Sequence, residues 1–147
     1  MKIIIGSDHG GFILKNKIID YLKTNNYEVE DMGCYSAESC DYPDIAKPVT
    51  EKVINEKALG ILVCGTGIGM SIYANKVAGI RAAHCTDTFS ARLTRQHNDS
   101  NVLCLGERIT GSGLALDIVK EWLNTSFEGG RHQHRVDIIN KLDRERH

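Results

Sequence analysis

Short apolar runs alternate with longer segments of mixed polarity along most of the chain. Most runs are continuously apolar, which is typical of strands in a parallel sheet covered by helices on both faces. The predicted strands are Lys2–Gly6, Tyr27–Met32, Leu59–Cys64, Ile80–Cys85 and Asn101–Leu105. Helical spacing predicts helices over about 11–24, 43–56, 67–77, 87–98 and 112–124. Five strand–helix units in succession predict a mostly parallel sheet in an α/β fold.

The pattern changes after Thr125. Phe127-Glu128-Gly129-Gly130 predicts a turn, and residues of about 132–145 predict a final helix that no strand follows. The chain has no internal repeat, low-complexity segment or linker long enough to separate domains. We therefore expect one domain over residues 1–147, with a C-terminal arm that begins at about residue 126.

Composition narrows the class of protein. The 147 residues include 18 Lys and Arg against 19 Asp and Glu, so no basic excess favours non-specific nucleic-acid binding. No apolar run reaches the ~18 residues that span a bilayer, and the apolar start is too short for a signal peptide. We therefore expect a cytoplasmic protein. The five cysteines contain no C-x-x-C pair, which argues against a disulfide framework.

Polar or glycine-rich segments follow three of the predicted strands. They are Gly6-Ser7-Asp8-His9-Gly10-Gly11, Cys64-Gly65-Thr66-Gly67-Ile68-Gly69 and Leu105-Gly106-Glu107-Arg108. Open parallel sheets bind ligands at the carboxyl ends of their strands. The three segments therefore predict a ligand site at one edge of the sheet.

The loop Gly65-Thr66-Gly67-Ile68-Gly69 joins a strand to a helix. Glycines there let backbone N–H groups face an anion or a developing oxyanion, and a helix N-terminus favours the same charge. A tight turn without a ligand is one alternative. A dinucleotide site is another, since Asp87 lies where a ribose-binding acid is expected. However, the third glycine comes one residue too early for G-x-G-x-x-G.

Cys64 is the last residue of the strand before this loop. A thiol beside a helix N-terminus ionises more readily than an ordinary thiol, and a thiolate acts as a base or a nucleophile. The alternative is an inert cysteine buried in the strand.

Two further segments contain histidine beside polar residues. Asp8-His9 suits hydrogen bonding to hydroxyls and a phosphate, but Ser7 or Asp8 also suits the cap of the next helix. His97-Asn98-Asp99 ends the fourth predicted helix, and His97 is able to move protons near neutral pH. The alternative for His97 and Asn98 is a helix C-terminal cap.

Arg131 and Arg135 lie four residues apart and share one face of the final predicted helix. Ile138 and Leu142 continue that face, so the arginines point toward whatever the apolar residues pack on. Two guanidinium groups together suit a phosphate, and an exposed basic face is the alternative. His132 and His134 diverge on a helix, so no metal site is expected there.

Six motifs in this order resemble the type B ribose-5-phosphate isomerases, which are grouped with the galactose-6-phosphate isomerase subunits. The motifs are Ser7-Asp8-His9-Gly10-Gly11, Cys64-Gly65-Thr66-Gly67-Ile68-Gly69, Ala74-Asn75-Lys76, His97-Asn98-Asp99, Gly106-Glu107-Arg108 and Gly129-Gly130-Arg131-His132-x-x-Arg135. The resemblance covers nearly the whole chain. It implies a Rossmann-like three-layer α/β/α fold with five parallel strands, and neither a cofactor nor a metal. It also implies a homodimer or tetramer with active sites at the interface, where the C-terminal helix packs on a partner subunit.

The resemblance also implies roles for single residues. Cys64 is the base that moves a proton between C1 and C2 through an enediolate, with Thr66 and the amides of Gly65, Gly67, Ile68 and Gly69 around the reacting oxygens. His97 opens the furanose ring with help from Asp8, and Asn98 holds a hydroxyl. His9 and Arg108 bind the phosphate, together with Arg131 and Arg135 of a partner subunit.

One branch of the family has a glutamate base directly after the last loop glycine. Met70 stands there in this chain and takes no proton, which fits the cysteine branch. The sequence therefore predicts interconversion of ribose 5-phosphate and ribulose 5-phosphate. The alternatives are the same chemistry on allose 6-phosphate or galactose 6-phosphate, and a nucleotide-binding Rossmann module without catalysis.

Overall fold

All five predicted strands join one parallel sheet in the computed structural model, which describes residues 1–147. The strands are β1 Lys2–Ser7, β2 Glu28–Asp31, β3 Leu59–Cys64, β4 Ala82–His84 and β5 Val102–Gly106. Their order across the sheet is β2-β1-β3-β5-β4. The helices are α1 Phe12–Thr24, α2 Tyr42–Glu56, α3 Ile68–Ala74, α4 Thr88–Asn98, α5 Ser112–Leu123 and α6 Arg131–Arg146. The predicted fold class is confirmed.

Helices cover both faces of the sheet, and alternate strand residues pack on each side. On one face, Ile3, Ile61 and Leu103 pack with α1, α4 and α5. On the other face, Ile4 and Leu62 pack with α2 and α3. The three central strands are therefore buried on both sides, which explains why their sequences are continuously apolar.

The two edge strands are shorter than predicted. β4 is limited to Ala82–His84, where the prediction was Ile80–Cys85. Asn75 ends α3 early, because its side-chain amide accepts a hydrogen bond from the Ala82 N–H at 2.8 Å and donates one to the Ala82 carbonyl at 3.0 Å. The predicted helix over 67–77 is shortened for that reason.

Asp87 caps the N-terminus of α4. Its carboxylate accepts hydrogen bonds from the Ser90 N–H at 2.6 Å and from the Ser90 hydroxyl at 3.1 Å. This side chain therefore stabilises the first turn of a helix. Helix capping therefore explains why an acidic residue stands at position 87, where a dinucleotide-binding site would have its ribose ligand.

Lys15 is fully buried although it is charged. Its Nζ donates to Asp31 Oδ1 at 2.8 Å and to the carbonyl of Cys34 at 2.6 Å. The pair joins α1 to the end of β2 and to the loop that follows. A buried ammonium needs such partners, since an unpaired one is strongly disfavoured in the interior.

The final helix α6 packs on its own chain through one narrow face. His132 and Val136 are buried, and Asp143 accepts a hydrogen bond from the Gly79 N–H at 2.9 Å. Ile138 and Leu142 are 56% and 50% exposed, so the predicted apolar face is not covered within the chain. No helix combines the length and the apolar character that crossing a bilayer requires.

Candidate active site

The ends of β1, β3 and β5 lie level at the carboxyl edge of the sheet. Cys64 pairs with Gly106, and Ser7 pairs with Val63. The loops then continue the ladder beyond the sheet. The Asp8 N–H donates to the Val63 carbonyl at 3.2 Å, and the Arg108 N–H donates to the Gly65 carbonyl at 3.0 Å. The three predicted segments therefore meet at one edge, as expected.

Cys64 lies beneath the glycine loop with its side chain turned toward α3. The residue is 5% exposed, and its Sγ accepts a hydrogen bond from the Gly67 N–H at 3.0 Å. This donor lies where a thiolate would carry its negative charge. The sulfur is therefore held by the same loop that borders the site.

Two positions in this region require glycine, because neighbouring atoms leave no space for a Cβ. Gly67 has φ 83°, and a Cβ there would lie 2.8 Å from His84 Cδ2. A Cβ on Gly106 would lie 2.4 Å from the Thr66 carbonyl. Only glycine combines the left-handed conformation with this space at position 67. The loop thus closes directly onto β5.

Asp8 and His9 approach the loop from the end of β1. Asp8 is 8% exposed, and its Oδ1 accepts a hydrogen bond from the Gly10 N–H at 2.9 Å, so it caps the short turn at His9–Gly11. His9 is exposed, and its Nδ1 accepts a hydrogen bond from the Cys40 N–H at 3.2 Å. Nδ1 also lies 3.3 Å from the Cys40 carbonyl, so the backbone of Cys40 occupies this nitrogen and Nε2 is left for a ligand.

Arg108 supplies positive charge at this edge. Its side chain lies over Gly65, with Cδ 3.5 Å from where a Cβ on Gly65 would be. It is exposed and forms no ion pair. A guanidinium without a carboxylate partner is available to an anionic ligand.

A second cluster lies at the opposite edge of the sheet. α4 runs back from the carboxyl edge, so His97 and Asn98 lie at its far end, just before β5 begins at Val102. Asn98 lies beside the start of β4, and its backbone carbonyl accepts a hydrogen bond from Arg81 Nε at 3.0 Å. One strand as long as β3 spans about 16 Å, at about 3.3 Å per residue. Within one chain, His97 and Asn98 are therefore not brought together with Cys64.

His97 is held by the start of α6. Its ring stacks on His132 with centroids 4.1 Å apart and planes 9° apart. The Nε2 of His132 lies 3.7 Å from Glu128 Oε2. Burial, followed by the nearby His97 and Arg131, lowers the pKa of His132. Arg131 and Arg135 are exposed in the same region, so they too lie away from Cys64.

His97, Glu128 and His132 place possible metal-ligating atoms within 4.8 Å of one another. The two imidazole rings are nearly parallel, so their in-plane lone pairs do not converge on one point. The adjacent Arg131 also disfavours a cation. The three side chains are therefore better explained as a cluster that holds the His97 ring in place than as a metal site.

The chain is similar to known proteins along nearly its whole length. Residues 3–139 match the family described as Ribose/Galactose Isomerase. The chain belongs to this family. Ribose-5-phosphate isomerase B of Escherichia coli is 51% identical over 146 residues, which cover 99% of this chain and 98% of that protein.

Two solved structures of ribose-5-phosphate isomerase B have the same fold. Ribose-5-phosphate isomerase B of Clostridium thermocellum is 53% identical with a TM-score of 0.98, and covers 100% of both chains. The Mycoplasma genitalium enzyme with bound ribulose 5-phosphate is 44% identical with a TM-score of 0.94, and covers 98% of this chain and 97% of its own. The resemblance drawn from the six motifs is confirmed.

The sequence-based prediction assigned no role to three residues near the family's glycine loop. Glu107 Oε1 accepts a hydrogen bond from the Leu14 N–H at 2.6 Å and ties β5 to α1. Tyr42 packs against Gly69, and His84 packs against Gly67. Glu107 could have been singled out from the sequence, because it is a polar residue that closely follows a predicted strand. No local pattern brings Tyr42 or His84 to a loop so far away in sequence.

Proposed function

We propose that this chain interconverts ribose 5-phosphate and ribulose 5-phosphate. The observation that carries the proposal is Cys64 Sγ, which lies 3.0 Å from the Gly67 N–H at the edge where Asp8, His9 and Arg108 meet. A base, hydrogen-bond donors and positive charge at one edge suit proton transfer on an anionic sugar. Membership of the ribose/galactose isomerase family supports the same reaction.

The proton transfer uses Cys64 as thiolate. Its Sγ takes the proton from C2 of the open-chain aldose, and the electron pair of that C–H bond forms the C1–C2 double bond of an enediolate. A proton moves between the two oxygens, and the Cys64 thiol returns its proton to C1, which leaves a carbonyl at C2. Thr66 and the loop amides donate hydrogen bonds to the oxygens, where the negative charge develops.

Ring opening precedes this step and uses a different base. His97 moves the protons between the anomeric hydroxyl and the ring oxygen, and Asp8 holds the ring by hydrogen bonding. Asn98 binds a sugar hydroxyl. His9 and Arg108 bind the phosphate, with Arg131 and Arg135 completing its charge neutralisation.

A complete site then needs two chains. Cys64 and His97 lie at opposite edges of one sheet, so the His97 cluster of one subunit serves the Cys64 of its partner. The uncovered Ile138 and Leu142, 56% and 50% exposed, support an assembly that uses the face of α6. We propose a homodimer, or a tetramer built from such dimers.

The same chemistry on a hexose 6-phosphate is the second candidate. It is favoured by the family description, which includes galactose as well as ribose. Both substrates need the same base and phosphate ligands, so the depth of the sugar pocket between subunits decides between them.

An isomerase assay tests the proposal directly. The purified protein is given ribose 5-phosphate, allose 6-phosphate or galactose 6-phosphate, with EDTA present and no cofactor added. The proposal expects the highest kcat/KM on ribose 5-phosphate. A higher value on a hexose phosphate would move the substrate and keep the mechanism. Inactivity on all three, together with binding of a nucleotide measured by calorimetry, would favour the non-catalytic module.

A further inference from the structure

The short strand β4 contacts helix α3 at both of its ends. At the C-terminal end, the side-chain amide of Asn75 is bonded to the N–H and the carbonyl of Ala82. At the N-terminal end, the ring of His84 lies against Gly67, which directly precedes the helix. Because α3 has only seven residues, these two contacts fix its position relative to the sheet.

Gly67 is surrounded by close contacts. Its N–H donates to Cys64 Sγ at 3.0 Å, and its carbonyl accepts from the Ser71 N–H at 3.1 Å. A Cβ on Gly67 would lie 2.9 Å from the carbonyl carbon of Leu105 and 2.8 Å from Cδ2 of His84. The Leu105 backbone is fixed by the sheet. His84 instead contributes a side chain, so a substitution can remove this contact and leave the sheet in place.

The contact between His84 and Gly67 is one of packing. Nε2 of His84 is enclosed and has no hydrogen-bond partner within the chain, although it would lie only 3.0 Å from a Cβ on Gly67. Enclosed polar atoms nearly always have a partner, and one without a partner costs free energy. The stability of β4 therefore does not explain a histidine at this position, whereas the fit of its ring against the loop does.

We propose that His84 is a positioning residue, whose ring keeps the Gly67 N–H on the sulfur of Cys64. The inference rests on the proposed function, in which Cys64 is the base. Gly67 has φ 83°, and a glycine reaches more backbone conformations than any other residue. Without the ring beside it, the Gly67 peptide turns more freely and its N–H leaves the sulfur. The thiolate then loses a donor that stabilises its charge, and proton abstraction slows.

Hydrogen exchange of the Gly67 amide, followed by NMR on isotopically labelled protein, tests the contact without any substrate. The hydrogen bond to Cys64 protects this amide in the wild type. In His84→Ala its exchange is expected to be faster on the order of tenfold, while the amides of β3 and β5 keep their wild-type rates. A wild-type rate at Gly67 in His84→Ala would overturn the proposal, whether or not the protein isomerises any sugar phosphate.

Two further variants serve as controls for the exchange measurement. Leu93 lines the same surface cavity as His84 but lies on α4, so Leu93→Ala should leave the exchange of Gly67 unchanged. His84→Leu places an apolar side chain of about the same size against the loop and should retain most of the protection. If Leu93→Ala exposed the Gly67 amide as much as His84→Ala does, or if His84→Leu lost all protection, packing by the His84 ring would not be what holds the loop.

Kinetics test the connection to the base. His84→Ala is expected to lower kcat for ribose 5-phosphate on the order of tenfold, the effect of losing one hydrogen bond to a charged group. KM should stay within about twofold, because no phosphate ligand is changed. In a Cys64→Ala background the same substitution should have no further effect, since there is no thiolate left to stabilise. An equal further loss in that background, or a rise in KM alone, would contradict a role through Cys64.

Discussion

Cys64 differs from the other core cysteines in what surrounds its sulfur. Burial raises the pKa of Cys85 to about 11, with Asp87 adding to the shift, and burial also raises the pKa of Cys104. Both thiols therefore stay protonated and act as small apolar side chains. Cys64 instead has the Gly67 N–H 3.0 Å from its sulfur. Residue identity alone does not distinguish these cysteines, whereas their hydrogen-bond donors do.

Replacing Cys64 with Ala is expected to lower kcat for ribose 5-phosphate by about 10²–10⁴-fold, the usual contribution of a general base. KM should stay within about twofold, since the thiol does not contact the phosphate. Steady-state kinetics measure both constants. Cys85→Ala is the matched control and should retain its kcat. Near-normal turnover of Cys64→Ala would disprove the assignment of the base.

His132 makes the stability of the fold depend on pH. Its pKa is lowered from 6.5, first by burial and then by His97 and Arg131, so the unfolded chain binds more protons there than the folded chain. The stability that the neutral ring provides is complete above the unfolded value and is lost as the pH falls through the folded value. We expect Tm to fall less for His132→Gln than for the wild type between about pH 8 and about pH 5.

His134→Gln is the control for this measurement, because His134 is exposed on the same helix. It should keep the wild-type profile of Tm against pH. If His132→Gln and the wild type lost the same number of degrees on acidification, the role of His132 in pH sensitivity would be wrong.

At the scale of elements, the central strands were predictable and the edges were not. β3 matches its prediction at Leu59–Cys64 because burial on both faces leaves a continuous apolar run. β4 is cut to Ala82–His84 because its outer edge bonds to Asn75, a contact that no local pattern reports. The apolar pattern therefore predicts a strand well where helices pack on both of its faces. It predicts the ends of an edge strand less well, because a side chain there takes the hydrogen bonds that a neighbouring strand would otherwise form.

The caps of α4 and α2 give a matched pair of substitutions. Asp87 accepts from the Ser90 N–H, whereas Asp41 precedes α2 without any capping hydrogen bond from its side chain. Asp87→Ala is expected to lower the free energy of unfolding by about 1 kcal/mol, and Asp41→Ala by much less. Urea unfolding measures both. Equal losses would mean that the Asp87 hydrogen bonds contribute nothing to stability.

At the scale of the whole molecule, the two groups of proposed site residues are separated by the sheet itself. Cys64 follows a strand, and His97 precedes one, so their placement at opposite edges was already implied by the order of elements. The sequence predicted that the three strand ends meet at the carboxyl edge, whereas the roles of the single residues stay predictions. It gave no sign of how α6 lies on α4, because His132 and Val136 occupy too little of that helix to produce a clear periodicity.

Mixing two inactive variants tests the shared site. A Cys64→Ala chain and a chain carrying Arg131→Ala and Arg135→Ala should each be impaired alone. After unfolding and refolding together, about a quarter of wild-type activity should return, because about half of random dimers are mixed and each has one intact site of two. No recovery, with mixed dimers confirmed by native mass spectrometry, would mean that the arginines act within their own chain or not at all.

The amide of Asn75 has a consequence for the behaviour of the protein at high concentration. Exposed edge strands are templates on which other chains add strands, and such growth has no natural end. At β4, both backbone groups of Ala82 are already bonded to one side chain. Addition of another strand along this edge is therefore disfavoured. A single amide thus protects one edge of the sheet against pairing with a neighbouring molecule.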